Sequence, residues 1–334
     1  MSNDQFGRNI DYLRISVTDR CNYRCRYCMP EEGIKLLAHD KMLTFEDIEF
    51  FVKIAAEHGI KNIRLTGGEP LVRPKFPDLV AKIRAIDGIE DISITTNGAL
   101  LPKFAPALKE AGLNRVNISL DTLDEETFHY ITRCGHLSEA LASIDTAIEY
   151  GFTPVKINTV VVRSLKQNLI DYAKLAVDRP LSIRFIEYMP VGDSAGFEGD
   201  GWTLDDTIPS AELIEQIRKE GKEAGLGELV ALEKGAVYGH GPASYYKFEN
   251  SVGTIGFINA LSNHFCSSCN RLRLTSEGAL RPCLFSDHEY DLREAIRARD
   301  VEKTTEGFMQ ALKTKPQSHQ DRVGTNRMMS QIGG

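Results

Sequence analysis

Six apolar, β-branched runs recur through the first part of the chain at intervals of roughly 30 residues, the size of a βα unit. They are Tyr12 to Asp19, Asn62 to Gly67, Asp91 to Gly98, Arg115 to Asp121, Pro154 to Val162 and Ser182 to Met189. Segments of helical periodicity lie between them. One opens on Thr44 as an N-cap, carries Asp47 where a capping-box acid belongs and closes on Gly59 at C′; Ser138 to Gly151 repeats that design. Strands alternating with helices predict a parallel sheet with helices outside. Six units are too few to close an eight-stranded barrel, so the expected fold is α/β, an open, partial (β/α)6 TIM-like barrel.

The polar residues are concentrated at the ends of these runs. A cysteine loop follows the first, Gly67, Gly68 and Glu69 the second, Thr95, Thr96 and Asn97 the third, Ser119 and Asp121 the fourth. Parallel α/β folds bind ligands at the carboxyl ends of their strands, so four strands are expected to supply one mouth.

After Pro190 the pattern changes. Val191 to Gly201 is rich in glycine and acid and reads as a loop, and Pro209 to Gly221 reads as a helix. Ala236 to Asn250, Ser251 to Leu261 and Arg271 to Phe285 read as short antiparallel strands, with Thr275 to Gly278 a turn. Helical stretches follow at Asp291 to Arg299 and Val301 to Lys313. By composition alone the tail from Val323 is a frayed end. The expected division is a barrel over 1–210 and an α+β extension over 211–334 that covers the barrel mouth.

A chain of 334 residues can bury a sizeable core without disulfide staples. Its net charge of -7, from 40 Lys+Arg against 47 Asp+Glu, argues against a surface that coats nucleic acid. No basic leader with an apolar run and no apolar stretch of roughly 20 residues is present, which predicts cytoplasmic residence and no membrane contact. Six of the seven cysteines fall in two clusters, a pattern that suits metal rather than disulfides in a reducing compartment.

Cys21, Cys25 and Cys28 form a CxxxCxxC loop that can hold an iron-sulfur cluster while leaving one iron without a protein ligand. A structural zinc site is the alternative, with His39 or a distant residue as fourth ligand. Gly67 and Gly68 remove side chains from the approach to the backbone, and Glu69 can accept from an ammonium group. Cys266, Cys269 and Cys283 make a second incomplete set, with zinc and His264 as its alternative.

Arg271 and Arg273 alternate on one strand and therefore point the same way. Arg14, Arg64, Lys156 and Arg184 lie inside the first, second, fifth and sixth runs. Charges in a covered sheet are expensive unless paired or liganded. Asp19, Asp121 and Glu187 are the candidate ion-pair partners; six cations together favour a polyphosphate, which the planar Arg fork matches.

The CxxxCxxC loop after a first strand, with Tyr27 before its last cysteine, resembles the radical S-adenosylmethionine (SAM) superfamily. The resemblance implies a 4Fe-4S cluster on the three thiolates. SAM would chelate the open iron and be cleaved to methionine and a 5′-deoxyadenosyl radical. It also implies that Tyr27, Gly68, Glu69, Ser119 and the backbone of Met189 hold SAM.

"LRISVTDRCNYRCRYCMP", "RLTGGEPLVR", "TTNG", "RVNISLDTL", "RFIEYMPVG", "CSSCNRLRLTSEGALRPCLF" and the final Gly333-Gly334 together resemble the GTP-cyclising family of molybdenum cofactor biosynthesis. That resemblance implies a lyase with a second 4Fe-4S cluster on Cys266, Cys269 and Cys283. GTP would contact Arg14, Arg64, Thr95, Lys156, Arg271, Leu272 (through its backbone) and Arg273, and Arg184 joins them from its place in the sixth run. Arg14, Arg271, Arg273, Gly333 and Gly334 are the implied catalytic set, the tail inserting rather than fraying. Implied partners are an external electron donor and cyclic pyranopterin monophosphate synthase, which would take the product; the protein itself would be a monomer or homodimer. Cys134 stands where the pattern has glycine and reads as an ordinary thiol, and the loop 191–201 has no implied role. Rival readings are a peptide-modifying radical enzyme with an auxiliary cluster and a zinc-stabilised binding module.

Overall fold

A computed structural model describes residues 3–189, 202–319, 325 and 327–333. All six runs form strands: β1 (Tyr12–Ser16), β2 (Asn62–Thr66), β3 (Asp91–Thr96), β4 (Arg115–Ser119), β5 (Val155–Val161) and β6 (Leu181–Glu187). They pair parallel in chain order, as the βα repeat predicts. Alternate residues such as Ile63, Leu65, Ile92, Ile94, Val116 and Ile118 belong to the apolar core together with the buried faces of the flanking helices. The residues between them, Arg64, Ser93, Asn117, Lys156 and Arg184 among them, are therefore left to the other face, inside the curve of the sheet.

The helix Phe45–Glu57 carries the expected capping box: Thr44 Oγ1 accepts from Asp47 N at 3.1 Å, and Asp47 Oδ2 accepts from Thr44 N at 2.8 Å. Gly59, at φ +99°, turns the chain out of it. The second helix departs from expectation. It runs Leu137–Glu149 with His136 at the N-cap and no side-chain cap, so Ser138 lies one residue inside the first turn. Packing of Leu137, Ala140, Ile144 and Ala147 into the core sets its start.

The C-terminal segment adds β7 (Leu229–Ala231), β8 (Ser244–Phe248), β9 (Thr254–Ile258), β10 (Arg271–Leu274), β11 (Ala279–Arg281) and β12 (Tyr290–Asp291). The pairs β8/β9 and β10/β11 are antiparallel, as expected, and β7 and β12, outside the expected strands, add the antiparallel pairs β7/β8 and β11/β12. Two of these strands also extend the barrel: β9 pairs parallel with β6, and β10 parallel with β1. The sheet order is β12-β11-β10-β1-β2-β3-β4-β5-β6-β9-β8-β7. Both edges of the six-stranded core are thereby covered. The two helices near the end run Arg293–Arg297 and Val301–Lys313, and the tail forms a short helix, Met329–Ile332. No helix among the described residues is long and apolar enough to cross a membrane.

One ion pair is buried at the amino end of the strands. Arg115 and Asp91 are each 1% exposed, and Arg115 Nε donates to Asp91 Oδ1 at 2.9 Å with a second contact through Nη2. Removing one partner leaves an uncompensated charge in the core. Asp91→Ala is therefore expected to lower unfolding free energy by about 3–5 kcal/mol, read from urea denaturation. A change within 1 kcal/mol would refute that role for the pair.

Candidate active site

A cavity of about 310 Å³ sits at the carboxyl ends of the barrel strands. Cys21, Cys25 and Cys28 line it from the loop after β1, and Cys266, Cys269 and Cys283 line it from the β9–β10 and β11–β12 connections. Gly68, Glu69, Thr95, Ser119 and Met189 are also on its wall. The two cysteine sets, far apart in sequence, thus face one space.

In the first set a turn closes on Cys25, whose carbonyl accepts from Cys28 N at 2.9 Å and Met29 N at 3.1 Å. Burial pushes the Cys21 thiol up to about 12 and the Cys28 thiol up to about 11. Burial, with the neighbouring thiols and Asp121 adding to it, raises Cys25 well above its ordinary value. Tyr27 is fixed by its hydroxyl, which donates to Asp121 Oδ2 at 2.7 Å.

The glycines after β2 act differently from the expectation of an open approach for ligand. A Cβ on Gly67 would stand 2.5 Å from Thr18 O, and one on Gly68 would collide with Arg20 O. They let the β2 loop lie against the cysteine loop, with Gly68 still on the cavity wall. Glu69 is 1% exposed and its carboxylate accepts from Leu71 N at 3.1 Å, Thr96 Oγ1 at 2.8 Å and Asn97 N at 2.7 Å. Burial raises it to about 7 against those three bonds.

The second set is held by two buried cations absent from the sequence reading. Arg8 donates to Cys266 O at 2.7 Å and Pro316 O at 2.7 Å, with Asp4 as its counter-ion. Lys315 donates to Arg271 O at 2.7 Å, Pro282 O at 2.8 Å and Cys269 Sγ at 3.5 Å. Burial pushes the Cys269 thiol up, but Lys315 and Arg271 outweigh it, and the net value is about 7. Among the described residues, the group of metal-binding side chains within 4.8 Å of one another is His264, Cys266 and His319. This is the mononuclear alternative; it needs only one of the three cysteines. The sulfurs of each full set are spread more widely, as a multinuclear cluster requires.

The basic residues line up by register. Arg14 stands opposite Arg64 on one side and Arg273 on the other, and Tyr12 opposite Arg271. Asp19, Asp121 and Glu187 do not neutralise them. Asp19 accepts from Leu37 N at 2.6 Å, Asp121 from Val160 N at 2.8 Å, and Glu187 from Ser210 N and Leu261 N at 2.9 Å. Arg64, Arg184, Arg271 and Arg273 reach the cavity wall without an ion-pair partner among the described residues. Arg271 Nε and Thr95 Oγ1 are buried there with no hydrogen-bond partner. Arg184 Nη2 donates to Asn117 Oδ1 at 2.7 Å and Asn158 Oδ1 at 2.5 Å.

Lys156 and Leu272 are placed elsewhere. Lys156 is 1% exposed, off the cavity wall, and donates to Tyr238 O at 2.6 Å. Burial, then Arg184, Arg115 and Arg64, lowers it to about 6. Leu272 is fully buried, with its backbone paired to β1 beside Leu13. Tyr12 and Asn158 join the wall unforeseen, although period-two alternation with Arg14 and Lys156 marks them.

The tail is inserted. Gly333 O accepts from Arg273 Nη1 at 2.8 Å, and Ile332, 1% exposed, packs with Phe285, Met189 and Met329. Gly334 and the loop 191–201 lie outside the described residues.

A model of the radical SAM superfamily matches residues 15–176, and a model described as Molybdenum Cofactor Synthesis C matches residues 181–321. A Pelotomaculum thermopropionicum protein named GTP 3′,8-cyclase is 48% identical over 335 residues, 99% of each chain. A Syntrophomonas wolfei protein of the same name is 46% identical over 337 residues, again 99% of each. Among solved structures, Streptococcus suis SuiB bound to S-adenosylmethionine aligns over 86% of this chain with a TM-score of 0.59 at 15% identity. This chain spans 64% of that protein's length, and the likeness is one of fold.

Gly333 has φ +71°, and a Cβ there would lie 2.5 Å from Thr66 Cγ2. Gly333→Ala is expected to loosen the tail by about 1–3 kcal/mol, the cost of a strained left-handed residue. Trypsin cleavage at Arg327 in the native protein reads this directly. A cleavage rate equal to that of the unmodified chain would show that the tail is held by something else.

Proposed function

This chain belongs to the GTP 3′,8-cyclase family, and from that membership we propose how its residues divide the work of cyclising GTP. It is a radical SAM enzyme that converts GTP to (8S)-3′,8-cyclo-7,8-dihydroguanosine 5′-triphosphate, the opening step of molybdenum cofactor biosynthesis, with two 4Fe-4S clusters and SAM as cofactors. The observation that carries the division is that two three-cysteine sets and a row of buried cations face one cavity.

When bound, the first cluster with SAM supplies the 5′-deoxyadenosyl radical that takes hydrogen from C3′ of GTP, and the second supplies an open iron for guanine. Cys21, Cys25 and Cys28 hold the first; Cys266, Cys269 and Cys283 hold the second. Tyr27, Gly68, Glu69, Ser119 and Met189 frame SAM, with Glu69 accepting from its ammonium once ionised.

Arg14, Arg64, Arg184, Arg271 and Arg273 bind the triphosphate, and Thr95 offers its free hydroxyl to the nucleotide. Lys156 joins by exchanging the Tyr238 carbonyl for a phosphate oxygen, which favours its protonated form. Leu272 contributes through its backbone. The work of these groups is orientation, since C3′ must rest beside the radical carbon. Arg14, Arg271 and Arg273 are the arginines assigned to catalysis as well as to phosphate binding, and Gly333, held by Arg273, is assigned with them; Gly334 completes that sequence-based set. An external donor provides the last electron, and the product passes to cyclic pyranopterin monophosphate synthase. The enzyme works in the cytoplasm as a monomer or homodimer.

Anaerobic reconstitution tests this reading. About eight irons and eight sulfides per chain are expected, as two 4Fe-4S clusters require, with 5′-deoxyadenosine formed only when SAM, reductant and GTP are all present. In the same preparation Arg271→Ala should keep its iron and lose about 1.5–3 kcal/mol of GTP binding, the worth of a charged hydrogen bond. About four irons, or turnover indifferent to GTP, would overturn it.

A further inference from the structure

Lys315 stands outside every motif in the chain, yet its ammonium is buried beside the second cysteine set. The residue is 2% exposed. A lysine is almost never buried without a partner. Here the described partners are two carbonyl oxygens and a sulfur: Arg271 O, Pro282 O and Cys269 Sγ. An ammonium has three donors, and all three are used. No carboxylate forms an ion pair with it among the described residues, and the anionic groups described around it are the Cys269 and Cys283 thiols.

The acceptors straddle the site. Arg271 lies two residues after Cys269, and Pro282 immediately precedes Cys283. One ammonium therefore ties together the two limbs that carry the ligands, β10 and the end of β11. Arg8 reinforces the loop from outside by holding Cys266 O, and Arg8, Arg271 and Lys315 together give this set a cationic surround. The first set has the opposite one, with Glu69 and Asp121 as its charged neighbours along with Arg24.

Resting on the assignment of a cluster to Cys266, Cys269 and Cys283, we infer that Lys315 is its positioning residue. The ammonium fixes the spacing of the Cys269 and Cys283 limbs and, by donating to the Cys269 sulfur, makes the cluster bound there easier to reduce. Hydrogen bonds and positive charge at ligand sulfurs raise a cluster's potential because they stabilise the added electron.

The test uses the full chain carrying both clusters. Lys315→Met keeps the volume and removes the charge and the donors. The expected result is a lower midpoint potential for the second cluster in an EPR-monitored titration, with iron at that set held about 10- to 100-fold less tightly against a chelator. The response of the first cluster's EPR signal to SAM should be unaltered. Lys315→Arg, which keeps charge and N–H donors, should recover part of both losses. Wild-type potential and chelator resistance in Lys315→Met would overturn the inference. So would simultaneous loss of both clusters, or equal damage from Met and Arg.

Should Lys315→Met fail to fold, the unmodified enzyme decides. Lysine labelled with ¹⁵N should give a nuclear coupling in the second cluster's EPR signal, and its absence would overturn the inference. A wild-type chain with about four irons would instead overturn the two-cluster reading beneath it.

Discussion

The constraint on which this molecule turns is the burial of Arg64, Lys156, Arg184 and Arg273 inside a parallel sheet, each at 7% exposure or less and without an ion-pair partner among the described residues. Taking such charges out of water costs several kcal/mol apiece unless something answers them. Burial and mutual repulsion lower Arg64 and Arg273 to about 10 and Lys156 to about 6. The apolar layer between strands and helices must therefore carry the fold while the interior works against it. Arg115 shows the contrast. It lies at the amino end of its strand with Asp91 as a dedicated partner, and burial is outweighed, leaving its pKa raised. Arg64, Arg184 and Arg273 reach the cavity wall without an ion-pair partner among the described residues, whereas Arg115 has its own.

The two cysteine sets differ in the same physical terms. Around Cys21, Cys25 and Cys28 burial is joined by Glu69 and Asp121, and the thiols resist ionisation. Around Cys269 the neighbours are Lys315 and Arg271, which outweigh burial and lower its thiol to about 7, while burial raises Cys266 of the same set. The two cysteine sets thus face one cavity with unlike charged neighbours.

Much of this was legible in the sequence because it is local. Apolar, β-branched runs at a βα spacing found the six core strands, and Thr44 and Asp47 announced their capping box. Spacing picked out both cysteine sets, and motif resemblance picked out Arg271 and Arg273, all of which reach one cavity wall. What escaped was long-range. Nothing in Thr254–Ile258 or Arg271–Leu274 shows that each pairs parallel with a barrel edge, because parallel partners leave no turn between them. Arg8 and Lys315 carry no motif and act on backbone carbonyls, which any sequence offers. Lys156 had the right position in its strand, but Tyr238 O, from a segment read only as strand-like, takes its ammonium. Composition marked the tail as frayed; only the resemblance pointed inward, where Gly333 meets Arg273.

The place of β1 between β2 and β10 has a consequence for the way the chain comes off the ribosome. Asn270 Nδ2 bonds to Asp11 Oδ1 at 2.7 Å across 259 positions of sequence. Until that distant stretch has been synthesised, one side of the first strand offers open hydrogen-bonding groups, and the cysteine loop that follows it has only half of its surroundings. Loading of iron into the first site before the polypeptide is nearly finished would put the metal in an unfinished, oxygen-exposed pocket. Vectorial synthesis therefore leaves the surroundings of the earliest cysteines incomplete until the stretch carrying the latest ones has appeared.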